Sequence, residues 1–205
     1  ARNFEVFREL LDKNHMLDQA DDFFKASGAL TVIEYKDVIE AQLRTTLAGG
    51  FQLLSLNDFT GQGYAPVGIL DPFWNSKGLV TPEKFRESCA PTVPLLRFEK
   101  RTFYQDETFR AKAEVYNYGP SALRNAKLKW FVTDMSGRTL ASGKLKTQTI
   151  RNYEVSPVGE FSFDFGKQTE PQRLTVHFTI NDTLNNDWDI WVYPRQPELM
   201  QSTAD

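Results

Sequence analysis

The chain of 205 residues holds a single cysteine, Cys89, which excludes an internal disulfide and any zinc site built on several thiolates. A lone cysteine of this kind reads as a small hydrophobe at a helix end. Histidine is almost as scarce. His15 and His177 lie far apart in sequence and suggest neither a metal pair nor a catalytic base. No apolar run approaches the roughly 20 residues that cross a bilayer, so no segment reads as a membrane span. Basic charge is not in excess either: 24 Lys and Arg stand against 27 Asp and Glu, a net charge of −3. That balance argues against the basic surface a nucleic-acid partner needs. A glycine-rich phosphate loop, a serine elbow and a calcium loop are all missing, so nothing calls for a cofactor or a metal. There is no internal repeat. The start shows no basic-then-apolar signal pattern, which in a piece of a longer protein is silent on export. What remains is the composition of an ordinary folded chain, 40% hydrophobic and 25% charged.

The patterning changes near Pro91–Pro94. Before it, the period is mostly helical. Phe4, Phe7, Leu10 and Leu11 recur at spacings of three and four and predict a helix. A second is predicted from about Leu17, with Ala20, Phe23 and Phe24 inward and Ser27-Gly28 as its C-cap. A third is predicted over roughly Thr31 to Thr45. It would carry Val32, Tyr35, Val38, Ile39 and Leu43 on its buried stripe, with Asp37 and Glu40 on its solvated face. The apolar run from Phe51 to Leu56 reads as a buried strand, followed by a long loop containing Gly61, Gly63, Pro66, Gly68 and Pro72. Thr81 at the N-cap and Pro82 at the first helical position announce a last helix, which carries Phe85 inward and ends before Pro91.

After Pro94 the period becomes two. Phe109, Ala111, Ala113 and Val115 alternate with Arg110, Lys112 and Glu114. Leu128, Trp130 and Val132 do the same, as do Phe161, Phe163 and Phe165, then Leu174, Val176, Phe178 and Ile180, then Trp188, Ile190 and Val192. Turn signals are read at Tyr118-Gly119-Pro120, Asp134–Gly137, Ser156–Gly159 and Asn185–Asp187. Six to eight short half-buried strands at this spacing predict an antiparallel β-sandwich of immunoglobulin type. The polar tail after Pro194 reads as disordered.

Residues 1–90 leave one strongly apolar strand without neighbours. Such a strand is buried on both faces only between parallel partners, and the order helix, buried strand, long loop, helix matches the last unit of a (β/α) barrel. The predicted class is therefore α+β: a helical, partial (β/α)-barrel end segment followed by an immunoglobulin-like antiparallel β-sandwich. The divisions are residues 1–92 as the end of a (β/α)8 barrel, 93–194 as the sandwich, and 195–205 as a disordered tail.

Four stretches resemble bacterial glycoside hydrolases of family 2: His15–Ala20, Gly50–Gly63, Val67–Gly78 and Asn186–Pro194. The most specific is the block from Gly50 to Gly78. The proteins it looks like are the β-galactosidase-like, sugar-binding-domain glycosidases of gut Bacteroides type. That resemblance implies a retaining glycosidase with a barrel flanked by sandwiches, acting on carbohydrate, and a periplasmic or secreted location. It also implies that the two catalytic glutamates lie upstream of Ala1, so no catalytic residue is assigned here. Retaining chemistry needs two carboxyls roughly 5 Å apart. Glu34 and Glu40, and Glu83 and Glu87, read instead as solvated helix faces.

Barrel active sites lie in the loops that follow the strands. The loop after Leu56 supplies Asn57, Asp58 and Gln62 as partners for sugar hydroxyls. Phe59, Tyr64, Phe73 and Trp74 supply flat faces suited to a pyranose ring. The structural alternative is that Asp58 caps the loop by accepting from backbone N–H groups, and that Phe73 and Trp74 are core. The candidate substrate-binding residues are Asn57, Asp58, Gln62 and Trp74. In the sandwich, His177 is predicted to point outward, and Trp191 and Tyr193 lie on the face opposite Trp188. With Phe131 they would hold a glycan if bare, or dock the barrel if covered. Three expectations follow: a C-terminal glycosidase region inactive alone, a non-catalytic carbohydrate-binding sandwich, or a structural one. An isolated chain is expected either to self-associate through the exposed barrel remnant or to let its helices repack.

Overall fold

The computed structural model describes residues 2–45, 50–60 and 67–195. The chain divides into two compact units, residues 1–88 and 89–205.

In the first unit, helix α1 spans Arg2–Lys13, and a short 3-10 turn over Leu17–Gln19 leads into α2, Ala20–Leu43. The predicted break at Ser27-Gly28 does not occur. The two predicted helices are one helix of 24 residues that runs straight through Gly28. The reason is packing: a Cβ at Gly28 would lie 2.3 Å from Leu79 Cδ2, so the glycine makes room for a neighbour instead of ending the helix. Glu40 is a second correction. It is buried, not solvated, and sits between Lys36 one turn before it and Arg44 one turn after, whose Nη2 lies 3.2 Å from its carboxylate. Ile39 and Leu43 are buried as expected, whereas Val38, Phe23 and Phe24 are exposed. Residues 51–56 form no strand. Leu54 is 94% exposed, and the regular pairing nearby is an isolated parallel bridge between Asn57 and Leu70. No barrel is seen among the described residues. Helix α3, Pro82–Arg86, starts as predicted, with Thr81 Oγ1 accepting from Lys84 N at 3.2 Å.

The second unit is a β-sandwich. Its strands are β1 Thr92–Arg97, β2 Thr102–Tyr104, β3 Thr108–Asn117, β4 Leu123–Ala126, β5 Leu128–Thr133, β6 Thr139–Lys144, β7 Gln148–Ile150, β8 Glu154–Asp164, β9 Gln172–Ile180 and β10 Leu184–Tyr193. One sheet has the order β1-β3-β8 and the other β2-β10-β9-β5-β6, with β4-β7 as a small ribbon. Every pairing is antiparallel except β2 with β10, which run parallel. The alternation read from the sequence defines the core. Phe109, Val115, Leu128, Val132, Phe178, Ile180, Trp188 and Ile190 are buried together between the sheets. Each buried side chain of this size is worth roughly 1.5–3 kcal/mol over its exposed state. Phe109 sits among four rings, Phe98, Phe103, Phe161 and Phe163, with centroids 5.0 to 6.2 Å away.

Two predicted turns fall inside strands. Ser156–Gly159 lies within β8, where the register with β3 shifts between Ala113 and Glu114; the Pro and Gly mark a bulge. Asn185–Asp187 lies within β10. The turn comes earlier, at Asn181 and Asp182, both at positive φ (55° and 59°), with Thr183 N bonded to Ile180 O at 3.2 Å. Positive φ at both central residues is the geometry of a type I′ hairpin turn, which Asn and Asp tolerate. Of the predicted tail, Arg195 is placed, its Nε 3.1 Å from Asp106 Oδ1; residues 196–205 lie outside the described residues.

Candidate functional site

The loop singled out in the sequence is built around Asp58. Asp58 N donates to Leu70 O and Leu70 N donates to Leu56 O, both at 3.1 Å, which ties the segment at 56–58 to that at 68–70. The two run so close that a Cβ on Gly68 would lie 2.4 Å from the carbonyl carbon of Asn57. Only glycine fits there. The Asp58 carboxylate is buried, and its Oδ1 accepts from Gly68 N at 2.9 Å and from Lys77 Nζ at 2.6 Å. Lys77 Nζ also donates to Gly68 O at 2.9 Å. Asp58 therefore locks this loop from within, as the capping alternative anticipated, with the addition of a cation from 19 residues downstream.

Helix α2 contributes Tyr35, whose hydroxyl donates to Val67 O at 2.6 Å and lies 3.3 Å from Ser55 O. Burial, and secondarily the Asp58 charge, push this phenol above its ordinary value. Asn57 is half-buried; its Oδ1 accepts from Ser55 Oγ at 3.1 Å and its Nδ2 donates to Asp58 O at 3.2 Å.

Beyond Leu70 the chain makes a tight turn held by Asp71. Its Oδ1 accepts from Phe73 N and Asn75 N, each at 2.8 Å, and its Oδ2 accepts from Asn75 Nδ2 at 3.0 Å. The Asn75 side-chain bond, above all, holds this carboxyl below the usual carboxylate range. The turn carries Phe73, 82% exposed, and Trp74, 62% exposed with a φ of +68°. Both rings are out in solvent, so the reading of them as core is corrected. Of the four candidate substrate-binding residues, Asn57 and Asp58 are held in one hydrogen-bonded loop and Trp74 projects from the turn that follows. Gln62, like Tyr64, lies outside the described residues. Among the described residues, no group of three or more His, Cys, Asp and Glu could hold a metal ion.

Sequence reasoning missed two features. One is Lys77, because nothing local in the sequence marks a lysine as the partner of an aspartate so far upstream. The other is a groove of about 750 Å³ along α1 and α2, walled by Phe4, Phe7, Leu10, Phe23 and Phe24. The apolar spacing of those residues was legible, but a helical stripe alone does not say whether anything covers it.

In the sandwich, His177 lies on the outer face as predicted. Its ring stacks on Phe131 at 4.3 Å, with Nε2 3.1 Å from Thr133 Oγ1 and Nδ1 3.8 Å from Asp187 Oδ2. Phe131 and Trp191 are half-buried and Tyr193 is exposed. Cys89 is half-buried too, and burial pushes its thiol up.

A family model described as a domain of unknown function, DUF8488, matches residues 107–194. That span opens just before β3 and closes just after β10, short of half the chain. No curated protein matches the chain. Among solved structures, an alkylpurine DNA glycosylase from Pseudomonas fluorescens is 12% identical over 51% of this chain, with a TM-score of 0.41. A β-glucosidase from Erythrobacter marinus is 16% identical over 49% of it, with a TM-score of 0.36. A β-glucuronidase from Parabacteroides merdae is 15% identical over 52%, with a TM-score of 0.33. The distant structural neighbours thus include glycosidases. The match spans 31% of the first of these proteins and 15% and 14% of the other two.

Proposed function

We propose that this chain is the C-terminal region of a carbohydrate-active glycoside hydrolase, of family 2 and β-galactosidase-like, whose catalytic glutamates lie elsewhere in a longer polypeptide. The observation that carries the incompleteness of the first unit is its bare apolar surface. Phe4, Phe7, Leu10, Phe23, Phe24 and Leu30 are each 43 to 56% exposed on α1 and α2, and Leu54 is almost fully exposed. Monomers rarely leave contiguous apolar patches above a few hundred Å² uncovered, so this face awaits further chain. The carbohydrate assignment is supported by the blocks Gly50–Gly63 and Val67–Gly78, which resemble family 2, and by the exposed Phe73 and Trp74 on the loop those blocks encode. In this reading residues 1–92 are the end of a (β/α)8 barrel, the loop at 57–78 borders the substrate, and the protein works in the periplasm or outside the cell.

Hydrolysis of a panel of 4-nitrophenyl glycosides by this chain, beside the longest polypeptide its gene encodes, tests the proposal. Activity confined to the longer polypeptide is the expected result, with the short chain self-associating through α1 and α2. Hydrolysis by the short chain alone would overturn it. If neither form cleaves any glycoside while the sandwich retains glycans, the non-catalytic carbohydrate-binding reading takes its place.

A further inference from the structure

Three tyrosines of the sandwich meet where β3 ends and β8 begins. Tyr116 and Tyr118 stack with centroids 4.5 Å apart and planes 17° from parallel, and Tyr153 meets Tyr118 edge-on at 6.2 Å and 82°. Tyr118 is 43% exposed and Tyr153 66% exposed. They are not loose surface residues. Asn117, with no exposed surface, sits behind them, and its side chain fixes both turns that bear them. Its Oδ1 accepts from Thr92 Oγ1 at 2.8 Å and Gly119 N at 3.2 Å, and its Nδ2 donates to Ser121 O and Arg151 O, each at 3.2 Å. The Asn117 carbonyl accepts from Tyr153 N at 2.6 Å.

The backbone of Tyr153 is held at a φ of +61°, a region that bulky residues seldom occupy. Such strain persists where the surroundings over-determine it, and it concentrates at binding sites. Here the strained residue turns its ring outward, where it gains no core packing that would compensate. Glycine or asparagine would hold this φ with less strain.

We propose that this right-angled pair, Tyr118 and Tyr153, is a binding site for a neutral pyranose unit of an oligosaccharide. One ring offers a flat face to the C–H face of the sugar, while the other closes its edge. Arg151 and Glu154, which flank Tyr153 in sequence and pair with each other at 3.1 Å, supply donors and acceptors for hydroxyls. The choice of a saccharide rests on the carbohydrate reading above. The site draws on no residue of the loop at 57–78 and requires no catalytic group.

The test is a panel of neutral β-linked oligosaccharides titrated against the intact chain, followed by calorimetry and by amide shifts. Shifts centred on residues 116–121 and 151–156 are expected. Tyr118→Ala and Tyr153→Gly should each weaken binding at least tenfold, while Tyr153→Phe keeps it. Tyr153→Gly should also leave the Tm unchanged or raised, because glycine relieves the strained φ. A purely structural tyrosine would lower it. Met135→Ala, a 75% exposed side chain in the β5–β6 connection, should bind as the unaltered chain does. Failure of every saccharide to bind, unchanged affinity in Tyr153→Gly, or shifts produced only by a proline-rich peptide would overturn the proposal. Hydrolysis by the longer polypeptide is scored separately. Its absence with binding retained rejects the glycosidase reading alone, and its presence without binding rejects this site alone.

Discussion

Lys77 and Asp58, 19 residues apart, meet at 2.6 Å where the carboxylate has no exposed surface and the lysine side chain is 13% exposed. Removing one partner of a buried pair leaves the other charge poorly compensated and costs roughly 3–5 kcal/mol. Lys77→Met should therefore destabilise the first unit by that order, read as a lowered urea midpoint and faster amide exchange at 56–58 and 68–70. Adding Asp58→Asn should recover part of the loss, because the stranded charge is then gone. A cost below about 1 kcal/mol for Lys77→Met would place the pair with ordinary surface ion pairs.

Tyr35 links α2 to the same loop, and its response to alkali follows from its surroundings. Burial first, and the Asp58 charge second, raise its pKa above 10.0 in the folded chain. In the native state the phenol keeps its proton at a pH where the unfolded chain has lost it. Its contribution is thus fully present below pH 10.0 and fades as pH rises through the folded value. Tyr116 shifts the same way, by burial and by its neighbour Tyr118, so the sandwich shows a similar fall. Tyr35→Phe should lower stability at neutral pH by about 1 kcal/mol, for the lost bond to Val67 O. It should also remove the first unit's share of the alkaline loss. Amide exchange at residues 50–60, followed from about pH 8 to pH 11, separates that share from the sandwich. An identical alkaline fall in both chains would rule Tyr35 out.

The sandwich was legible because its strands bury one face each. Phe109, Ala111, Ala113 and Val115 are all buried while Arg110 and Lys112 are not, and alternation records that directly. What misled was punctuation. Pro157 and Gly159 look like a turn, but they serve a bulge inside β8, and Gly28 looks like a helix end but admits Leu79. A glycine is selected by local crowding as readily as by a turn, and the crowding partner is set by tertiary structure. The run 51–56 failed for a related reason. Its apolar content says that it wants cover, not that strands supply it, and in this chain Leu54 stands bare. At the candidate site the turn at 71–75 and the exposed rings were within reach of sequence, as Asp71 and Asn75 are ordinary turn formers. The Asp58–Lys77 pair and the Tyr118–Tyr153 corner were not, since each joins residues from separate turns.

Gly143 shows the same crowding in the sandwich and gives a clean test of it. It faces Trp130 across the β5–β6 pairing, and a Cβ added there would lie 2.7 Å from the indole Cε2 and Nε1. Trp130 cannot simply withdraw, because its other face stacks on Phe161 at 4.4 Å and 9°. Gly143→Ala must therefore push the indole against Phe161 or open the β5–β6 pair, and overpacking of this kind costs about 1–3 kcal/mol. Unlike a turn glycine, Gly143 has no positive φ to explain it, so any loss comes from the clash alone. The expected readout is a lower Tm together with altered tryptophan emission. Shrinking the obstacle should restore stability, so Gly143→Ala placed in a Trp130→Leu background should cost little relative to Trp130→Leu alone. Equal losses in the two backgrounds would show that the alanine acts on the backbone of β6 and not on the indole.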